Sequence, residues 1–127
     1  MKKVIEIDGR EVGFKATALT PRLYRHAFGR DMIGDMTKLR KAYRKAESLA
    51  EDATEEERQE AQLSAIDLEI FENTAWIMTM QYDAKEAGND PDQWLDGFQT
   101  FSIYEVLPQI LELWQMNQAT TAEPKKK

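Results

Sequence analysis

The dipeptide Asp8-Gly9 constrains the fold of this chain more than any other feature of the sequence. Apolar residues alternate with polar ones on both sides of it, at Ile5, Ile7, Val12 and Phe14. Asp-Gly favours a two-residue type I′ turn, because both central positions of that turn need a positive φ. The turn pairs Ile5 with Val12 and places the four apolar side chains on one face. A lone hairpin is marginal in water, so this face is expected to lie against other elements.

The chain after the hairpin shows the spacing of helices. Thr20-Pro21 predicts a helix start with threonine as the N-cap, and Gly29 predicts its end. A second helix is predicted from about residue 35 to residue 50, after a short connection at residues 31–34. Thr54 and Glu57 form a capping-box signature for a third helix.

The third predicted helix is the longest of the chain. No proline or glycine follows its start before Gly88, so it is predicted to run for about 30 residues. Its apolar residues cover much of the circumference, which is typical of a central helix or of a helix at an oligomer contact. The main stripe consists of Leu63, Ile66, Ile70, Thr74, Ile77 and Met78.

Two further helices are predicted in the C-terminal part. Asp90-Pro91 marks a short helix, with Asp90 as its N-cap and Gln93 as the reciprocal partner. In the last helix, Pro108 either kinks a helix that begins at Ile103 or marks a regular start near Leu107.

The predicted fold is therefore mainly α with a small N-terminal β-hairpin (α+β), with four to five helices and one long central helix. We expect one domain over residues 1–118, with the hairpin at 1–16 and the helical part at 20–118. A flexible polar tail is predicted at residues 119–127.

The sequence offers few groups for catalysis. It has no cysteine, which excludes disulfides, thiolate metal sites and thiol nucleophiles. His26 is the only histidine, and the acidic residues between positions 51 and 60 lack the pattern of a calcium loop. The six glycines are scattered and form no phosphate-binding loop. We therefore predict a non-enzymatic protein without catalytic, cofactor-binding or metal sites.

The charge balance bears on partners. The chain has 17 basic and 23 acidic residues, and a net charge of −6 disfavours nucleic acid and anionic lipid. No apolar run approaches the ~18 residues of a membrane span, and no signal core follows the N-terminus, so a cytoplasmic protein is predicted.

One segment differs from the rest of the chain in its charge, because residues 38–45 contain five basic residues: Lys38, Arg40, Lys41, Arg44 and Lys45. Such a helix binds phosphates or forms a solvated face, and nucleic-acid binding through it is the alternative function.

Aromatic residues concentrate in the C-terminal half of the chain. Tryptophan and phenylalanine are frequent both in cores and at the centres of protein interfaces. The short C-terminal helices carry a large apolar load, so some of these side chains are predicted to contact a partner. The candidate partner-binding residues are Trp94, Phe98, Phe101 and Trp114.

Four segments carry a resemblance to a known family. They are VIEIDGR at residues 4–10 followed by the Thr-Pro helix, FENTAWIM at 71–78, DPDQWL at 90–95 and ILELWQMN at 110–117. In their order and spacing the chain resembles the tail assembly chaperones of long-tailed bacteriophages of Gram-positive hosts. The likeness spans nearly the whole chain and is a similarity of layout.

The resemblance implies a function, a partner and a location. Such chaperones coat the helical tape measure protein in many copies before the tail tube polymerises around it, and they are absent from the finished virion. It therefore implies a self-associating protein of the host cytoplasm that keeps the tape measure protein soluble. The family often also makes a longer form of itself by a programmed ribosomal frameshift. The terminal Pro124-Lys125-Lys126-Lys127 is compatible with a slippery site there, or with a plain solubilising tail.

Overall fold

The computed structural model describes residues 1–47, 54–57 and 68–121. The elements in this part of the chain are β1 (Lys2–Ile7), β2 (Arg10–Lys15), α1 (Thr20–Phe28), α2 (Met32–Glu47), α3 (Leu68–Tyr82), α4 (Ala84–Ala87), α5 (Pro91–Asp96) and α6 (Ile103–Thr121). The predicted class is confirmed: the chain is mainly helical, with an antiparallel hairpin at the N-terminus. These elements include six helices, against the four to five predicted, and residues 55–57 are helical as well.

The hairpin has the predicted turn and register. Asp8 and Gly9 both have positive φ, at 55° and 79°, and Ile5 pairs with Val12. The inner face of the hairpin, defined by Ile5, Ile7, Val12 and Phe14, is buried. The outer face is formed by Lys2, Val4, Glu6, Glu11, Gly13 and Lys15.

Helix α3 is the centre of the molecule. It contacts β2, α1, α2, α4 and α5, while α6 lies against β1. Leu63 and Ile66 of the predicted stripe lie outside the described residues, but Ile70, Thr74 and Ile77 are buried as expected. Its buried side chains surround the helix: Ile70, Phe71, Asn73, Thr74, Ala75, Trp76, Ile77, Met78 and Thr79. Of the two roles left open by the sequence, the structure shows that of a central helix.

The end of this helix lies close to the predicted one, because about 30 residues from Thr54 reach to about residue 83. The helix ends at Tyr82, and Asp83 has an extended backbone and becomes the N-cap of α4. Its carboxylate accepts the backbone N–H groups of Lys85 and Glu86 at 3.1 and 3.4 Å. Aspartate competes with helical backbone bonding in this way, so a helix can end without glycine or proline.

Two predicted helix starts are also displaced. Helix α2 begins at Met32 and includes the predicted connection, because the Asp31 carboxylate accepts the N–H groups of Ile33 and Gly34 at 3.2 and 3.3 Å. Thr20 is not the N-cap of α1; Leu19 holds that position without a side-chain cap. The predicted end of α1 at Gly29 is confirmed by a left-handed φ of 66°.

The later caps largely agree with the sequence. Glu57 donates its N–H to Thr54 Oγ1 at 3.0 Å, as a capping box requires, and Asp90 accepts the N–H of Gln93 at 2.7 Å. The Gln93 side chain accepts from the N–H of Asn89. Helix α6 begins at Ile103 with Pro108 inside it, and it continues to Thr121, beyond the predicted start of the tail. Residues 48–50 and 122–127 lie outside the described residues.

Candidate partner-binding surfaces

Three of the four predicted partner-binding residues lie together. Trp94, Phe98 and Phe101 contact one another edge to face, with ring centroids 5.2 to 5.5 Å apart. Phe71 of α3 joins them at 5.4 Å from Phe101. We call these four residues the aromatic cluster. Edge-to-face geometry is the favoured arrangement of aromatic rings in a packed core.

The turn of the hairpin holds the aromatic cluster in place. The Arg10 guanidinium lies 4.1 Å from the centre of the Phe98 ring, a cation–π contact. The Asp8 carboxylate accepts the backbone N–H of Gln99 at 2.9 Å. The turn of the hairpin is therefore bonded to the loop after α5, since Asp8 and Gln99 lie 91 positions apart in the chain.

The aromatic cluster is part of the core of a single chain. Trp94 and Phe98 are 4% and 8% exposed, Phe101 is half-buried, and Trp114 of α6 is 5% exposed. The indole Nε1 of Trp94 is buried and has no hydrogen-bond partner within the described residues. Binding of a partner through these residues stays a prediction.

A second candidate surface lies where three distant segments meet. Thr17 follows the hairpin, Gln81 is the last residue but one of α3, and Asn117 lies near the end of α6. Gln81 Nε2 donates to Thr17 Oγ1 at 2.7 Å, and Asn117 Nδ2 donates to the Thr17 carbonyl at 3.3 Å. The Thr20 hydroxyl donates to Gln81 Oε1. This network fixes the three segments relative to one another.

Exposed apolar side chains flank this network. Leu19, Tyr82 and Met116 are 48%, 43% and 46% exposed, and each lies within two residues of Thr17, Gln81 or Asn117. We call these three residues the junction patch. The sequence does not indicate the junction patch, because its members belong to three separate segments and none has a distinctive local pattern. Exposed apolar groups on a fixed frame are typical of binding surfaces.

A polar network that is buried at Tyr24 and Asp35 and exposed at Arg30 joins α1 to α2. The Tyr24 hydroxyl donates to Asp35 Oδ2 at 2.9 Å, and the Arg30 guanidinium donates to both carboxylate oxygens at 2.7 Å. The hydrogen bonds from Arg30, aided by that from Tyr24, hold the pKa of Asp35 below its usual value of 3.8 despite burial. Burial and the neighbouring Asp35 raise the pKa of Tyr24 well above 10.0. These groups are engaged with one another, which indicates a structural role.

The basic side chains predicted on the second helix are largely solvated. Lys38, Lys41 and Arg44 are exposed, and Arg40 is half-buried. None of the four forms an ion pair within the described residues. The Lys45 side chain lies outside the part of the chain that can be described.

His26 is exposed on α1. Among residues 1–47, 54–57 and 68–121, no three His, Cys, Asp or Glu side chains are grouped so that they could hold a metal ion. In the same ranges no helix combines the length and apolarity that crossing a membrane demands.

Comparison of the chain with family models, curated proteins and solved structures found no match. A function must therefore be argued from the surfaces described above and from the layout of the sequence.

Proposed function

We propose that this protein is a non-enzymatic tail assembly chaperone of a long-tailed bacteriophage, which binds the tape measure protein and keeps it soluble. The segments that carry the resemblance each form a defined element: the hairpin, α1 with Thr20-Pro21 in its first turn, the central α3, α5 after Asp90, and α6. The proposed site of action is the host cytoplasm during tail assembly, before the virion is complete.

The observation that carries the proposal is the junction patch. A tape measure protein exposes long apolar helical stripes, and such stripes bind to apolar surfaces through residues spaced three to four positions apart. Leu19, Tyr82 and Met116 offer such a surface, and the Thr17 network holds their segments in place before binding. A surface ordered in advance loses less entropy on binding, and methionine adapts to varied contacts.

The proposal includes self-association and many copies per client. A patch of three side chains gives modest affinity, but repeated copies along one long client raise the overall binding strength by avidity. The net charge of −6 keeps such an assembly soluble while its apolar surfaces are in use. A longer frameshifted form of the chain is a further partner that the family resemblance suggests.

Co-expression tests the proposed function. The tape measure fragment encoded in the same genome is expressed alone and together with this protein, and its soluble fraction is measured after centrifugation. We expect the fragment to be insoluble alone and soluble with the protein. A fragment that stays insoluble beside folded, abundant protein would refute the proposed function.

Surface variants test the junction patch separately. Leu19→Lys combined with Met116→Lys places charge on the patch, and Ile33→Lys is the matched control, because Ile33 is 53% exposed on α2. We expect the double variant to lose the solubilising effect and the control to keep it. Equal activity of all three proteins would leave the function in place but exclude the patch as its site.

The exposed basic face of α2 favours nucleic-acid binding as a second candidate function. Lys38, Lys41 and Arg44 are available for phosphate contacts within the described structure. Fluorescence anisotropy with duplex DNA at physiological salt tests it, using Lys41→Glu with Arg44→Glu and, as control, Arg22→Glu on α1. Binding that falls steeply with salt and is lost only in the α2 variant would support this function. Absence of binding by the unaltered protein would exclude it.

A further inference from the structure

The outer edge of strand β1 is a row of backbone groups without partners in the described chain. Met1 and Ala16 exchange both backbone hydrogen bonds, at 2.8 and 2.9 Å, so residues 1, 3, 5 and 7 point their N–H and C=O groups toward β2. In an antiparallel pair the alternate residues point these groups the other way. Lys2, Val4 and Glu6 therefore direct them away from the hairpin, and all three residues are exposed.

The two edges of the hairpin differ in access. On β2 the corresponding residues are Glu11, Gly13 and Lys15, and the Tyr82 ring lies against Gly13 on the outer face of the hairpin, where a Cβ would stand. Gly13 and Lys15 are only partly exposed. Val4, which pairs with Gly13, is 50% exposed. The open edge is therefore that of β1, and an unpaired edge is a template for another strand.

The side chains of β1 are complementary to a second copy of themselves. In an antiparallel pairing with Val4 opposite Val4, Lys2 of one copy lies opposite Glu6 of the other, and the reverse holds on the far side of the axis. Opposite charges across strands stabilise such a pair, and like charges destabilise it. The register centred on Glu6 places glutamate opposite glutamate, and that centred on Lys2 places lysine opposite lysine. Of these three registers, the charges favour the one centred on Val4.

We infer that two copies of this chain associate through β1, antiparallel and centred on Val4. The product is a sheet of four strands, two from each copy, in the order β2, β1, β1, β2. Its two-fold axis passes between the Val4 residues, so the interface is closed and does not propagate into filaments. The pairing uses the outward backbone groups of Lys2, Val4 and Glu6. The proposed dimer does not depend on which client the protein binds.

Charge reversal tests the inferred register. Sedimentation velocity over a range of concentrations gives the dimer dissociation constant of the unaltered protein. We expect Glu6→Lys, which places lysine opposite lysine twice, to raise this constant about tenfold or more. The matched control is Glu11→Lys, which makes the same charge change and relieves the same Glu6–Glu11 repulsion within the hairpin, but lies on β2. The control is expected to dimerise as the unaltered protein does.

Exchange of the two charges completes the test. Lys2→Glu alone is expected to weaken the dimer as Glu6→Lys does, and the combined Lys2→Glu with Glu6→Lys is expected to restore it, because the swapped residues again face opposite charges. Circular dichroism melts confirm that each variant is folded. A monomeric unaltered protein at every concentration would overturn the inference, and so would a combined variant as weak as either single one.

Cross-linking gives an independent readout. The chain has no cysteine, so Val4→Cys introduces a single thiol on the proposed axis. Hydrogen-bonded antiparallel residues have Cα atoms about 5.5 Å apart, within the range of a disulfide. We expect mild oxidation to yield a disulfide-linked dimer on a non-reducing gel, well above the yield from Glu11→Cys. A Val4→Cys yield no higher than that of Glu11→Cys would contradict the pairing.

Discussion

Replacing Tyr24 with phenylalanine measures what the buried polar network contributes to stability. The substitution removes a hydroxyl that donates to Asp35 Oδ2 at 2.9 Å, and it leaves the ring in its fully buried place against Phe28. A hydrogen bond to a charged group contributes about 1.5–3 kcal/mol. Asp35 keeps both bonds from Arg30, so we expect a loss near the lower end, about 1.5–2 kcal/mol.

This loss is large enough to measure by heat or urea. With 127 residues, the entropy of unfolding is about 0.27 kcal/mol/K near the midpoint, so Tm is expected to fall by about 5–8 °C. Circular dichroism melts and urea titrations at neutral pH give the two values. Tyr82→Phe is the control, because it removes a phenolic hydroxyl from a side chain that is 43% exposed. We expect the control to be neutral.

A double-mutant cycle then separates the hydrogen bond from general packing. In an Asp35→Ala background the Tyr24 hydroxyl loses its acceptor and is buried without a partner. Tyr24→Phe is therefore expected to be neutral or stabilising in that background, a reversal of its effect in the unaltered protein. An equal loss in both backgrounds would refute the reasoning, because the cost would then be unrelated to Asp35.

Four further predictions concern acid pH, alkaline pH, a close contact and a tertiary hydrogen bond. The pKa of Asp35 is lower in the folded chain than its ordinary 3.8, so the contribution of Asp35 to the free energy of unfolding is present above that pH and is lost as the pH falls below it. Urea midpoints measured against pH are expected to show this loss, and Asp35→Asn is expected to reduce it. Tyr24 acts in the opposite sense: stability is expected to fall as the pH rises above 10.0, where the unfolded tyrosine ionises first, and Tyr24→Phe is expected to remove that loss. Gly13→Ala places a Cβ 2.2 Å from Tyr82 Cε1 and is expected to cost about 1–2 kcal/mol of unfolding free energy, with little cost in a Tyr82→Ala background. Trp76→Phe removes the 3.0 Å bond from Nε1 to the Ala87 carbonyl, so amide hydrogen exchange is expected to accelerate in α4 while β1 and β2 stay protected.

The hairpin and several helix caps could be predicted because their causes are local. The Asp8-Gly9 turn sets the register by itself, and the apolar alternation agrees with it. The Thr54 and Asp90 caps depend on side chains three residues from the N–H groups they bind. Local sequence contains all the information that these features need.

The exact residue at which α3 ends could not be predicted, because it is decided by two competing uses of Asp83. Asp83 is compatible with a helix interior as well as with an N-cap, and the cap is accompanied by the bond from Trp76 to Ala87. That bond joins α3 to α4, and the sequence alone does not show how these two helices pack. The start of α2 has a similar cause, since Asp31 acts as a cap only once Gly34 is accepted inside the helix.

The candidate surfaces needed the tertiary structure even more. The sequence left the aromatic cluster open between core and interface, and its burial depends on Asp8 and Arg10, far away in the chain. The junction patch was not predicted at all, because only the hydrogen bonds of Thr17 bring its three segments together.

The bond between Thr17 and Asn117 spans 100 positions, which has a consequence for synthesis on the ribosome. At about 5–20 residues per second, the hairpin waits on the order of 5–20 s before the helix that lies against β1 is complete. During that interval α6 does not yet cover β1, although α3 is made earlier and lies against β2, and early β1 strands on neighbouring ribosomes of one messenger are exposed to each other. Deleting α6 would therefore leave β1 without this contact, and such truncated chains are expected to accumulate in inclusion bodies.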